Sequence, residues 1–242
     1  MSSPSENQNS LSILQGNSFA NSKNTSIMEN TSFEVQVYKF KVILLGDPAV
    51  GKTSLCIQFT DNSFSPNYKC TINAELKVKT ISLDKTTMAE LKLWDTCGQE
   101  KFRSMTRNYY NDTDGVLLLY DITKRSSFEH LSTWIDDLRE YADSNTEIIL
   151  VGNKSDLEDE REVTKEEIKN FSIKHKSNFV EVSAKNGTNV VLLFEKLVNQ
   201  MIVKKKVKDD LKEGKERLYY KKPSLMQMNM DLANEQKKTG CC

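Results

Sequence analysis

Short apolar runs alternate along the chain with segments of helical periodicity. The runs fit strands that are buried on both faces of a sheet, and they occupy residues 42–45, 116–120, 148–151 and 179–182. Two segments gather their apolar residues on one helical face: Phe128, Leu131, Trp134, Ile135 and Leu138, then Val190, Leu193, Phe194, Leu197 and Met201. Thr164 and Glu167 have the spacing of a capping box at the start of another helix. This alternation predicts a doubly wound α/β sheet.

A period-two pattern interrupts the alternation. Leu76 and Val78 alternate with Lys77 and Lys79, and a turn at residues 84–85 leads to a second strand at 91–94. Such a pair predicts an antiparallel hairpin at the edge of the sheet, with lysines protecting the outer strand. The predicted fold is therefore a mostly parallel, six-stranded sheet with one antiparallel edge strand and helices on both faces.

Composition divides the chain into three parts. Residues 1–37 are rich in Ser and Asn and show no sustained periodicity, which is typical of a disordered extension. Residues 38–203 carry the alternating pattern and are predicted to form one domain, since 242 residues are too few for two such domains. Residues 204–242 are predicted to be a flexible tail that starts rich in lysine and ends in Cys241 and Cys242.

Charge and cysteine content narrow the possible classes. The chain has 34 basic and 34 acidic residues, so no net field favours nucleic acid as a partner. The apolar runs are far shorter than a membrane span needs, so we expect no membrane-spanning helix. The N-terminus lacks the pattern of a secretion signal, so we do not expect secretion. Cys56, Cys70 and Cys97 lack metal-ligand spacing and are expected to be reduced thiols.

Residues 46–53 match the phosphate-loop motif G-x-x-x-x-G-K-[ST], directly after an apolar strand and before a predicted helix. The backbone N–H groups of such a loop surround phosphates at the positive end of the helix dipole. The lysine reaches the β- and γ-phosphates, and the threonine hydroxyl ligates Mg²⁺. The predicted nucleotide ligands in this loop are Asp47, Ala49, Val50, Gly51, Lys52, Thr53 and Ser54. The loop places the fold among the P-loop NTPases.

A second motif, Asp-Thr-Cys-Gly-Gln-Glu at 95–100, follows the inner strand of the predicted hairpin. An aspartate at this position can hold Mg²⁺ through a water, so Asp95 is a candidate metal ligand. Gly98 leaves its N–H free to meet the γ-phosphate. These features fit kinases and ATPases as well, so the base-reading motifs have to decide.

Two motifs near the end of the domain select guanine. Asn153, Lys154 and Asp156 form N-K-x-D after the strand at 148–151. The carboxylate of Asp156 can accept two hydrogen bonds that guanine offers and adenine does not, so an adenine would leave it unpaired. Ser183, Ala184 and Lys185 close the last strand, where the Ala184 N–H can meet the guanine carbonyl. All four motifs follow strand ends in order, which predicts one site.

With these motifs in place, residues 38–203 resemble a Ras-superfamily GTPase and are most similar to the Rab family, whose fold is the small G domain. The similarity rests on residues 94–102, 103–106, 109–110 and 120–123 and on the terminal Cys-Cys. It implies that Gln99 orients the attacking water, that Thr71 in switch I ligates Mg²⁺ and senses the γ-phosphate, and that Phe64 stacks on guanine. It also implies an effector-reading triad of Leu76, Trp94 and Tyr109.

The resemblance further implies a molecular switch that binds GTP or GDP with Mg²⁺, hydrolyses GTP slowly without an activating protein, and recruits effectors to membranes in vesicle trafficking. The expected partners are an exchange factor, a GTPase-activating protein, effectors at the switch regions, and factors for prenylation and membrane extraction. Geranylgeranyl groups on Cys241 and Cys242 would hold a monomer on the cytoplasmic face of endomembranes, from which it cycles through the cytosol.

Three departures from the usual Rab pattern leave alternatives open. Residues 71–76 read Thr-Ile-Asn-Ala-Glu-Leu instead of Thr-Ile-Gly-Val-Asp-Phe, which leaves the effectors undetermined, and Cys97 replaces an alanine. Pro48 adds a ring where an activator's arginine would enter, which predicts a weakened response to activator with intrinsic hydrolysis retained. One alternative is a GTP-bound scaffold that scarcely hydrolyses, which Pro48 favours and Gln99 opposes. Another is a P-loop phosphotransferase, which the guanine motifs oppose.

Overall fold

The computed structural model describes residues 35–67, 70–71, 73–98 and 107–212. The chain divides after Phe33, and all described residues belong to the second unit, Glu34–Cys242. The predicted extension up to residue 34 and the predicted tail beyond residue 212 lie outside the described residues. Within the described part, no helix is both long and apolar enough to cross a membrane.

The described strands form one six-stranded sheet in the order β2-β3-β1-β4-β5-β6. Their bounds are β1 Gln36–Gly46, β2 Glu75–Ser82, β3 Thr87–Asp95, β4 Gly115–Asp121, β5 Glu147–Asn153 and β6 Asn178–Glu181. Neighbouring strands are parallel except for β2 and β3, which form an antiparallel hairpin at the sheet edge. This arrangement confirms the predicted mixed sheet.

Five α-helices are described, with the bounds α1 Lys52–Asp61, α2 Arg125–Glu129, α3 Leu131–Tyr141, α4 Lys165–His175 and α5 Val190–Lys212. The predicted apolar faces of α3 and α5 are buried, whereas Phe128, predicted on the same face as the residues of α3, lies on α2 and is partly buried. The capping box at α4 is also confirmed, because the Thr164 hydroxyl accepts the Glu167 N–H and the Glu167 carboxylate accepts the Thr164 N–H.

The core lies on both faces of the sheet. Val42 and Leu44 belong to a buried cluster that includes apolar residues of α1 and α5. Ile43 and Leu45 point to the other face and join a cluster with residues of α3. Because successive side chains of β1 enter different cores, the strand needs an unbroken apolar run, which is the pattern that predicted it.

The structure differs from the predicted boundaries. The strand β1 begins at Gln36, so a division between 37 and 38 falls inside it. Helix α5 continues to Lys212, so residues 204–212, predicted as the start of a flexible tail, are helical. The Lys204 ammonium lies 2.6 Å from the Glu147 carboxylate of β5. The ammonium of Lys205 lies over the ring of Phe40, 5.5 Å from its centre. These contacts hold the helix beyond its apolar part.

The structure also corrects which face of β2 is exposed. Leu76 and Val78 are 47% and 54% exposed, whereas Lys77 and Lys79 are partly buried. The two ammonium groups find partners at the end of α1, where the Asp61 carboxylate lies 2.8 Å from Lys77 and the Thr60 carbonyl lies 2.9 Å from Lys79. The edge strand therefore presents its apolar side chains, not its lysines, to the surroundings.

Candidate functional site

A cavity of about 690 Å³ opens at the carboxyl end of the parallel strands and collects residues from all four motifs. Most of the predicted ligands line it: Ala49, Gly51, Lys52, Thr53, Ser54, Phe64, Thr71, Gly98, Asn153, Lys154, Asp156, Ala184 and Lys185. Pro48 and Cys70 line it too. The site thus forms where the order of the sheet places β1 between β3 and β4, as expected for open α/β sheets.

The phosphate loop, residues 46–53, turns sharply between β1 and α1. Ala49 and Gly51 have left-handed backbones, with φ of 64° and 96°. The Lys52 ammonium is buried and donates to the carbonyls of Gly46 and Asp47, both at 2.8 Å. Burial lowers the pKa of Lys52 to about 8, although nearby carboxylates oppose this effect. An amine held this way, facing a cavity, fits an anionic ligand.

Three oxygen-bearing side chains meet beside the loop. The Thr53 hydroxyl donates to Oδ2 of Asp95 at 2.6 Å and lies 2.7 Å from the Thr71 hydroxyl. Asp95 is buried, which raises the pKa of its carboxyl group against the opposing effects of Thr53 and Lys52. Among the described residues, no donor reaches Oδ1 of Asp95. Oxygen ligands with one unsatisfied carboxylate oxygen suit Mg²⁺.

Asn153 ties the phosphate loop to the base-reading motifs. Its amide nitrogen donates to the Val50 carbonyl at 2.8 Å, and its amide oxygen accepts the Ala184 N–H at 3.1 Å. The Lys154 ammonium lies 2.5 Å from the Asp121 carboxylate. Two of the predicted ligands, Val50 and Ser183, are buried and support the site from behind the cavity wall.

The Asp156 carboxylate is set to meet a base. The Ser183 hydroxyl donates to its Oδ1 at 2.6 Å, while its Oδ2 is 3.7 Å from the Lys185 ammonium. The side chain is only 13% exposed and lines the cavity. Phe64 is partly exposed and lines the same cavity. The arrangement leaves a fixed acceptor and an aromatic ring for a planar ligand.

Gly98 packs tightly against the phosphate loop. A Cβ added there would collide with the Lys52 ammonium and would come within 2.5 Å of the Asp47 carbonyl oxygen. A glycine is therefore required for this close approach. The predicted catalytic residue, Gln99, and the lipidation candidates, Cys241 and Cys242, lie outside the described residues.

The Asp47 carboxylate does not line the cavity and instead faces the start of α3. The Trp134 indole donates to Oδ1 at 3.0 Å, and Nδ1 of His130 lies 2.6 Å from Oδ2. The Asp47 backbone carbonyl accepts the Lys52 ammonium at 2.8 Å. Contacts of His130 and Trp134 with Asp47 were not predicted, because no spacing rule links positions more than eighty residues apart.

The fold and this site define a P-loop GTP-binding protein. The model of the Ras family matches residues 41–203, more than half of the chain. Ras-related protein RABA4b of Arabidopsis thaliana is 46% identical over 164 residues, which cover 68% of this chain and 73% of that protein. The chain belongs to the Ras family of small GTPases, on its Rab branch. It is accordingly a GTPase whose partners include regulators and effectors, and not a phosphotransferase.

Proposed function

We propose that the protein is a GTP-dependent switch that recruits effectors to endomembranes during vesicle trafficking, and that its predicted site residues carry this cycle. One observation supports it above all others. The four motifs converge on one cavity that is lined by a buried ammonium and a fixed base acceptor, and Asp95, whose Oδ1 has no donor among the described residues, contacts the cavity residue Thr53. These three features match a phosphate, a guanine and a metal ion.

The phosphate end of the ligand is assigned to the loop and to Lys52. Backbone N–H groups of residues 49–54 surround the phosphates at the start of α1. Thr53, Thr71 and, through a water, Asp95 would hold Mg²⁺. A Mg²⁺ ion held there would neutralise the negative charge of the phosphate oxygens. Gly98 lies against the same point, because its missing side chain allows the close approach to Lys52.

The base end is assigned to the opposite wall. Asp156 accepts the two guanine N–H groups, and Ser183 keeps the carboxylate in place by donating to Oδ1. Phe64 and the stem of Lys154 enclose the ring, and Ala184 and Lys185 close the site near the carbonyl. An adenine would not supply the two donors that guanine offers to the Asp156 carboxylate, and that loss penalises ATP.

The effector surface is assigned to exposed apolar residues next to the switches. Leu76 pairs with Trp94 in the register of the β2–β3 hairpin. The Trp94 and Tyr109 rings lie 5.1 Å apart. An exposed leucine beside two packed aromatic rings is a surface that a partner can cover. Membrane attachment is assigned to geranylgeranyl groups on Cys241 and Cys242, since two lipid chains give a stable anchor.

Single-turnover hydrolysis of GTP tests the catalytic assignment. We expect Gln99→Leu to bind GTP like the parent and to hydrolyse it about tenfold more slowly or worse, a loss of roughly 1.4 kcal/mol in barrier stabilisation. A matched control is Gln58→Leu, because Gln58 lies on α1 outside the cavity lining. If the parent hydrolyses GTP no faster than Gln99→Leu, the scaffold alternative is favoured and Gln99 does not position water.

A further inference from the structure

Asp47 connects the phosphate loop to the junction between α2 and α3. Its side chain is largely buried, and both carboxylate oxygens have a partner from that junction: the Trp134 indole at 3.0 Å and His130 Nδ1 at 2.6 Å. A buried carboxylate that loses one of two donors keeps its desolvation cost without compensation. The pair of donors therefore holds Asp47 in a defined position.

The backbone of Asp47 connects this fixed side chain to the nucleotide site. Its carbonyl accepts the Lys52 ammonium at 2.8 Å. The same carbonyl oxygen would lie 2.5 Å from a Cβ added to Gly98. The next residue is Pro48, which has no N–H and restricts the backbone of the residue before it. The start of the loop is thus fixed through the Asp47 side chain and the Pro48 ring, not through a hydrogen bond from residue 48.

We propose that His130 is a positioning residue for the nucleotide: by holding the Asp47 carboxylate it keeps the Asp47 carbonyl and Lys52 in place, and it thereby sets how long a nucleotide stays bound. The proposal rests on the nucleotide site described above. Trp134 shares the task but is fully buried in the core. The His130 side chain is 57% exposed, so it can be replaced without opening the core.

His130 also occupies a sensitive point of the backbone. It is the single residue between α2 and α3, where its N–H donates to the Ser126 carbonyl and its own carbonyl accepts the Trp134 N–H. The His130 backbone thus contacts Trp134, and the His130 side chain contacts Asp47. A helix junction on the protein surface is thereby joined to the phosphate loop by two hydrogen bonds.

The test is the dissociation rate of fluorescent GDP from the full chain in the presence of Mg²⁺. We compare His130→Leu, which has similar bulk and no donor, with His130→Asn, whose amide nitrogen occupies nearly the same place as Nδ1. We expect dissociation from His130→Leu to be roughly three- to tenfold faster than from the parent. We expect His130→Asn to restore most of the parent's rate. His175→Leu, at the other histidine, serves as the matched control and should leave the rate unchanged.

A double-mutant cycle with Asp47→Asn separates positioning from a general loss of stability. If His130 acts through Asp47, adding His130→Leu to Asp47→Asn changes the dissociation rate little further. Equal rates for His130→Leu and the parent overturn the proposal, and so do additive effects in the cycle. Failure of the parent itself to bind fluorescent GDP would contradict the nucleotide site as a whole, and this inference with it.

Discussion

The ionisation of Lys52 is the clearest residue-scale consequence of how the phosphate loop folds. The ammonium is buried against two carbonyls, and burial brings its pKa to about 8 although Asp95 and Asp47 act in the opposite direction. A phosphate group at the site adds negative charge and raises the pKa again. The nucleotide-bound form therefore holds this proton up to a higher pH than the free form.

Proton uptake on binding follows with a definite sign. At about pH 8.5 the free protein has lost part of the Lys52 proton and the complex retains it, so GDP binding takes up protons and GDP affinity falls as pH rises. Calorimetry in two buffers of different ionisation enthalpy measures this uptake. At pH 7, where Lys52 keeps most of its proton in both states, the uptake on GDP binding should be much smaller. Binding enthalpies that do not depend on the buffer at this pH would contradict the account.

The position of a residue in the cavity could be predicted where the residue belongs to a motif. The types and spacing of Lys52, Thr53 and Asp156 were enough to predict that they line one cavity, because each motif follows the end of a recognisable strand. The two hydrogen-bond partners of the Asp47 carboxylate were not predictable. They come from positions 130 and 134, and only the folded chain brings them close to Asp47. A carboxylate inside a phosphate loop does signal that donors are needed, but not which ones.

At the scale of elements, periodicity predicted which segments form strands and helices but not how far they extend or which way they face. A period-two pattern allows either face of β2 to point inward, and in the structure the lysines face the end of α1, where the Asp61 carboxylate contacts Lys77. Helix α5 continues past its apolar part, where Lys204 contacts Glu147 of β5, a residue that local sequence does not bring into view. Local signals were sufficient only where the contacts are local, as at the start of α4.

The cap of α4 provides a prediction at this scale. The Thr164 hydroxyl accepts the Glu167 N–H, and the Glu167 carboxylate also binds the Arg125 guanidinium at 2.9 Å, which holds the pKa of Glu167 at about 2. We expect Thr164→Ala to lower the free energy of unfolding by about 1 kcal/mol, since the helix loses its cap. Urea unfolding measures the change. Thr164→Ser keeps a hydroxyl and is the control; equal losses in both variants would refute the assignment.

For the whole molecule, the sheet order is what converts four distant motifs into one site. Strand β1 is parallel to both β3 and β4, and β4 is parallel to β5. The carboxyl ends of β1, β3 and β5 therefore meet at one edge of the sheet. The order of motifs along the sequence predicted this convergence. The exposure of Val78 was not predicted, because Lys77 and Lys79 occupy the other face of β2 through tertiary contacts with α1.

The choice of base tests the central claim most directly. The measurement is the equilibrium affinity of the full chain for GDP, ADP and xanthosine diphosphate, in the parent and in Asp156→Asn, with the exposed Asp159→Asn as the matched control. We expect the parent and the control to prefer GDP. Asp156→Asn should lose roughly 1–3 kcal/mol of GDP affinity, the worth of a bidentate contact, and should prefer the xanthine nucleotide. GDP affinity that is unchanged in Asp156→Asn, or a parent that binds ADP as tightly as GDP, would contradict the account.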